Sequence, residues 1–94
     1  MTPVIWAPQA IEDVKAIRSY VARDSAHYAD LLAERIVAAV SRLETFPRSG
    51  RVVPEVGDES LREVVYENYR IVYRLQPGVI DVITVFHGAR LFRL

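Results

Sequence analysis

"NYRIVYRLQPGVIDVITVFHGARLFRL", residues 68–94, decides the fold. Two runs rich in β-branched and aromatic residues flank Gln76-Pro77-Gly78, a strong turn signal. Tyr69 to Leu75 reads as one strand and Val79 to Phe86 as the next. Just upstream, Leu61 to Tyr66 has the same character, and Glu67-Asn68 joins it to the middle strand by a tight turn. The result is a three-stranded antiparallel meander. Alternation assigns the faces. Tyr69, Ile71, Tyr73 and Leu75 share one side of the middle strand; Arg70, Val72 and Arg74 share the other. In the last strand Ile80, Val82, Thr84 and Phe86 oppose Asp81, Ile83, Val85 and His87. This reading places Arg70, Arg74, Asp81 and His87 together on an open sheet face.

Upstream of the meander the period changes from two to 3.6. From Pro8 to about Arg23, apolar residues recur at Ala10, Ile11, Val14, Ile17 and Val21, which is helical spacing. Pro8 suits a first helical turn, and Glu12 and Asp13 are read as first-turn acids that complement the helix dipole. Asp24 and Ser25 are candidate caps for a second helix. Its stripe is Tyr28, Leu32, Ile36, Ala39, Val40 and Leu43, ending near Phe46, where Pro47 stops it. So few residues join the two helices that they form an antiparallel hairpin. "VIW", Val4 to Trp6, reads as a short opening strand. Pro47 to Ser60 is a loop with one short extended piece. The fold class is α+β, one domain over residues 1–94, with an N-terminal strand and a helical hairpin packed on the meander.

Composition sets limits on function. The chain has 94 residues, 51% hydrophobic, with no cysteine, so disulfide and thiolate chemistry are absent. The start "MTPVIWAPQA" lacks the basic and apolar regions of a signal peptide, and no run approaches the roughly 20 apolar residues of a membrane span. A cytoplasmic protein is expected. Net charge is zero, which counts against strong phosphate-driven nucleic-acid binding. Eleven of the twelve basic residues are Arg, whose planar fork suits carboxylates and phosphates.

Three residues carry candidate chemistry. If the 47–60 loop folds over the open face, Glu55, Arg70 and His87 supply a base, an anion stabiliser and an acid. Such a trio suits cleavage of a ribose phosphodiester by its own 2′-hydroxyl. Alternatively, Arg70 and Arg74 pair with Glu63, Glu67 or Asp81 on neighbouring strands, and His87 simply ends its strand. No spacing fits a metal site, a phosphate loop or a dinucleotide site, so no metal and no cofactor are expected. A plain interaction module is a reading from a different class.

Four motifs in order, "WAPQAIEDVKAIRSYVARDS", "RLETFPRSGRVVPE", "REVVYENYRIVYRL" and "VITVFHGAR", span nearly the whole chain. Together they resemble the RelE/ParE superfamily of toxins from type II toxin–antitoxin systems. The resemblance implies a microbial-RNase-like fold and a cognate antitoxin that lays an amphipathic segment over the domain. Operator DNA would then be met only through the antitoxin. It also implies one of two activities. RelE-like and YoeB-like members look like ribosome-dependent mRNA endonucleases, and Glu55, Arg70 and His87 stand at places comparable to the Glu, Arg and His of the YoeB-like pattern. ParE-like members poison DNA gyrase without nuclease chemistry. Here Gly88 follows the histidine where an aromatic often stands, and Lys15 is the only lysine. The ending "V-x-H-G-A-R" resembles the ParE-like pattern, as does the neutral charge. The resemblance therefore favours a gyrase poison, with Arg70, Arg74, Arg90, Phe92 and Arg93 expected at the target or antitoxin interface, and the last strand with its tail, Arg90 to Leu94, expected in the target surface.

Overall fold

The computed structural model describes residues 1–93. The chain runs β1 (Val4–Trp6), α1 (Pro8–Ala22), α2 (Ala26–Ser41), a 3₁₀ turn (Arg42–Glu44), β2 (Arg51–Val52), β3 (Leu61–Tyr66), β4 (Tyr69–Gln76) and β5 (Val79–His87). Pro8 opens α1, and Ser25 caps α2 by accepting the Tyr28 N–H at 3.1 Å. The first turn of α1 holds no acid, contrary to expectation. Asp13 lies one turn further on and does a different job. Its carboxylate accepts the Val85 N–H at 3.0 Å and the Thr84 hydroxyl, fastening α1 to the edge of β5.

The expected meander is the centre of a larger mixed sheet, ordered β1-β5-β4-β3-β2. β1 runs parallel to β5, with Val4 opposite Ile80, and β2 adds two residues to the outer edge of β3. Gly78 turns the chain between β4 and β5 with φ of 74°, a region glycine enters without steric cost. No helix among the described residues is long and apolar enough to cross a membrane.

The helical and strand periods meet in one core. Leu32, Ile36, Val40 and Leu43 pack on Ile71, Tyr73, Ile80, Val82 and Val85, with Ala10 of α1 beside them. Each Leu, Ile or Val side chain among them contributes about 1.5–3 kcal/mol by leaving water. The expected faces of β4 hold throughout.

β5 departs from the expected alternation halfway along. Val72 stands opposite Thr84, but the next residue, Tyr73, stands opposite Val82. Ile83 is thus an extra residue, a β-bulge, and it shifts the phase of everything after it. Val85 turns into the helical core, and Phe86 turns to the outer face opposite Arg70. His87 stands opposite Tyr69, on the helical side.

The outer face is also not open. Val53, Leu61, Val72, Phe86 and Phe92 form a second buried cluster, with Val56 and Ile83 at its margin. The loop after β2 and the C-terminal tail close over the sheet to make it. Tyr73 fixes the start of that loop from within the core. Its hydroxyl donates to the Pro47 carbonyl at 2.8 Å and accepts the Gly50 N–H at 3.0 Å. A Cβ on Gly50 would lie 2.6 Å from both that hydroxyl and the Glu63 carbonyl. The backbone approaches so closely that only glycine fits.

Candidate functional site

Arg70 is the centre of the outer face. It projects from β4 beneath the loop and the tail, and is only 6% exposed. A guanidinium has five N–H donors, and all five are engaged. Nε donates to Glu63 at 2.9 Å, and Nη2 to the same oxygen at 2.5 Å. Nη1 and Nη2 each donate to Glu55 at 2.6 Å, a bidentate pair. Nη1 also donates to the Arg90 carbonyl at 3.2 Å. The Phe86 ring lies 5.1 Å from the guanidinium carbon, adding a cation–π contact.

The two carboxylates extend the network in opposite directions. Glu55 accepts the Phe92 N–H at 2.9 Å, which ties down the C-terminal tail. Glu63, fully buried on β3, accepts from Arg51 Nε at 2.7 Å and Nη2 at 2.5 Å. A chain of alternating charge therefore crosses the outer face: tail N–H, Glu55, Arg70, Glu63, Arg51. It holds two acids and two bases, and every buried side-chain polar atom among the described residues has a partner.

Electrostatics follow from this geometry. The Arg70 hydrogen bonds, and secondly the Phe92 N–H, lower the Glu55 pKa from 4.5 to about 2. The same pairing, opposed by burial, pushes Arg70 above its already high ordinary value. Glu55 is consequently a weak base, because proton-accepting power falls with pKa.

Of the expected trio, Glu55 and Arg70 meet and His87 does not join them. The bulge at Ile83 has turned His87 to the other side of the sheet. There its ring packs edge-on against Tyr69, with centroids 5.8 Å apart, and its Nδ1 accepts the Ala89 N–H at 3.1 Å. The neutral ring then carries its proton on Nε2.

The expected interface residues divide. Arg74 is half-buried, and Nη1 contacts Ser60 Oγ at 3.2 Å and Asp58 at 3.8 Å. Arg90 and Arg93 are exposed, as expected of contact residues. Phe92 is not; its ring stacks with Phe86 in the second cluster, so it anchors the tail and offers no contact surface. Leu91, part of the expected tail surface, is 72% exposed. Leu94, the last residue of the expected tail surface, lies outside the described residues.

Of the neighbouring-strand acids Glu63, Glu67 and Asp81, Glu63 is the one that pairs with Arg70. Glu67 accepts the Tyr28 hydroxyl, and Asp81 accepts from Gln76. Arg51 closes the "FPRSGR" turn and Tyr73 falls on the helix-facing side of its strand, but neither carries a signal for the polar contacts it makes here. In the structure Glu63 stands opposite Val72 and so shares the Arg70 face, and a glutamate is an unusual residue to bury fully.

The comparisons agree with this architecture. The solved "Chromosomal ParDE TA system from P. aeruginosa" superposes with a TM-score of 0.77 at 21% identity, covering 93% of this chain and 96% of that one. The toxin–antitoxin complex RelBE2 from Mycobacterium tuberculosis superposes with a TM-score of 0.64 at 18% identity, over 92% of this chain and 96% of that one. Both share the fold. A curated relative from Caulobacter vibrioides, "Toxin RelE2", is 34% identical over 92 residues, which are 97% of this chain and all of that one. The family model described as "ParE toxin of type II toxin-antitoxin system, parDE" matches residues 4–92. The chain belongs to this ParE toxin family, within the RelE/ParE superfamily.

Proposed function

We infer that this toxin acts by poisoning DNA gyrase, and that a cognate antitoxin neutralises it. The observation that carries the reading is the saturation of Arg70. With five donors engaged by Glu55, Glu63 and the Arg90 carbonyl, it has none to offer a phosphate. Glu55 is a poor base, and His87 stands across the sheet. The cluster instead sets the position of the tail, and the tail presents Arg90, Leu91 and Arg93 outward. Two cations around an exposed leucine suit an acidic protein surface with an apolar pocket. The antitoxin is supported by the relatives, which are named for ParDE and RelBE2 systems. The competing reading, cleavage of mRNA on the ribosome, requires Arg70 to release Glu55 and His87 to change sides.

A supercoiling assay with purified gyrase tests this. Inhibition with accumulation of cleaved DNA is expected, retained by His87→Ala and lost with Leu91→Asp. No inhibition at micromolar toxin, from a preparation that arrests growth and cuts mRNA on translating ribosomes, overturns it.

A further inference from the structure

We propose that Arg51, at the far rim of the sheet, is a positioning residue for the C-terminal tail and acts through Glu63, Arg70 and Glu55. Its bearing on toxicity rests on the gyrase reading, but the coupling itself does not.

The chain of contacts is continuous, and exposure falls and rises along it. The Arg51 side chain is 62% exposed, Glu63 0%, Arg70 7% and Glu55 19%. The charges balance only while all four are present. Without Arg51, two carboxylates share one guanidinium, and the cluster carries a net negative charge. Glu63 has no access to water and must keep Arg70. Glu55 is the carboxylate that can turn outward and hydrate. When it turns, the Phe92 N–H loses its acceptor, and the tail is left to the Phe86–Phe92 stack and the Arg90 carbonyl contact.

Arg51 is well placed to be acted upon. It lines a groove with Ala39, Arg42, Phe46, Gly50 and Val64, between the end of α2 and the β3 edge. β2 covers only Arg62 and Glu63 of that edge, so Val64 to Tyr66 lie beyond it. A carboxylate presented to Arg51 in this groove has the effect of the substitution, since it draws the guanidinium from Glu63.

Amide hydrogen exchange on the isolated toxin tests the coupling without gyrase, so its failure is separate from failure of the gyrase reading. In Arg51→Ala, protection of the Phe92 amide is expected to fall at least tenfold, while Ile71 and Val82 stay within about twofold of the parent. Arg51→Lys restores most of the protection. Arg42→Ala, which removes a neighbouring cation in the same groove, leaves Phe92 unchanged. Acidification releases the Phe92 amide at higher pH in Arg51→Ala than in the parent, because the negative charge no longer paired by Arg51 raises the proton affinity of Glu55, which accepts that amide. The charged groups facing this cluster are Glu55, Glu63, Arg70 and Arg51, with the Arg90 guanidinium 6.0 Å from the Phe86 ring. Should Arg51→Ala not fold, Arg51→Gln carries the same test. Phe92 protection within twofold of the parent, or loss spread equally over β4 and β5, overturns the proposal.

Discussion

Replacing Arg70 with methionine keeps an unbranched stem but removes five hydrogen bonds and the cation between two acids. Removing one member of a buried ion pair costs about 3–5 kcal/mol. Glu63 keeps Arg51, and Glu55 keeps partial access to water, so the expected loss lies at the low end, about 3 kcal/mol. For an m value of about 1–1.5 kcal/mol/M, the urea midpoint falls by roughly 2–3 M. The melting temperature falls by about 12–24 °C, at roughly 4–8 °C per kcal/mol for a chain of this size. Equilibrium urea unfolding, followed by the fluorescence of Trp6, measures both midpoint and slope. A second arm separates charge from packing. The triple variant Arg70→Met, Glu55→Gln, Glu63→Gln no longer strands a carboxylate, and it should recover at least about 1 kcal/mol over Arg70→Met alone. A loss below about 1 kcal/mol in the single variant refutes the reasoning, because the cluster would then be screened as a surface pair is. The result also governs how toxicity is read. If Arg70→Met unfolds much of the protein, its failure to arrest growth says nothing about contact with a target.

Three other expectations follow from the same geometry. Tyr73→Phe keeps the ring but orphans the Pro47 carbonyl and the Gly50 N–H, and should cost about 2–3 kcal/mol in urea unfolding, with faster exchange at the Gly50 amide. Gly50→Ala forces a Cβ to within 2.6 Å of the Glu63 carbonyl oxygen and should cost about 2 kcal/mol or more. Because Glu55 titrates lower folded than unfolded, the unfolded chain binds the proton first on acidification. Its stabilising contribution is complete above about 4.5 and is lost as pH falls toward about 2. A pH series of unfolding midpoints should show that slope in the parent and not in Glu55→Gln.

Much of the architecture was legible because each element repeats its own period. Leu32, Ile36, Val40 and Leu43 mark a helix face, Ile71 and Tyr73 mark a strand face, and the two meet in the core. The bulge was not legible. "VITVF", across the phase change, is made entirely of strand-favouring residues, so no glycine signals the extra position. That silence misplaced Phe86 and His87 together, and with them the supposed catalytic trio. Glu55 with Arg70 could be anticipated as one outcome of loop closure. The full satisfaction of Arg70 could not, because it depends on a carbonyl of the tail and on a glutamate buried against expectation. The tail "LFRL" carried both signals at once, and the backbone divided them: Phe92 faces inward and Leu91 outward.

The spacing between the bulge and the end of β5 has an evolutionary consequence. Phe86 stands opposite Arg70, and His87 comes one residue later. Deleting a single codon between Thr84 and Phe86 would bring the histidine into register with Arg70, on the face of Glu55 and Glu63. No side chain need change identity. A length change in one strand is therefore the shortest mutational step between a sheet that hides its histidine and one that sets it beside an arginine and a glutamate.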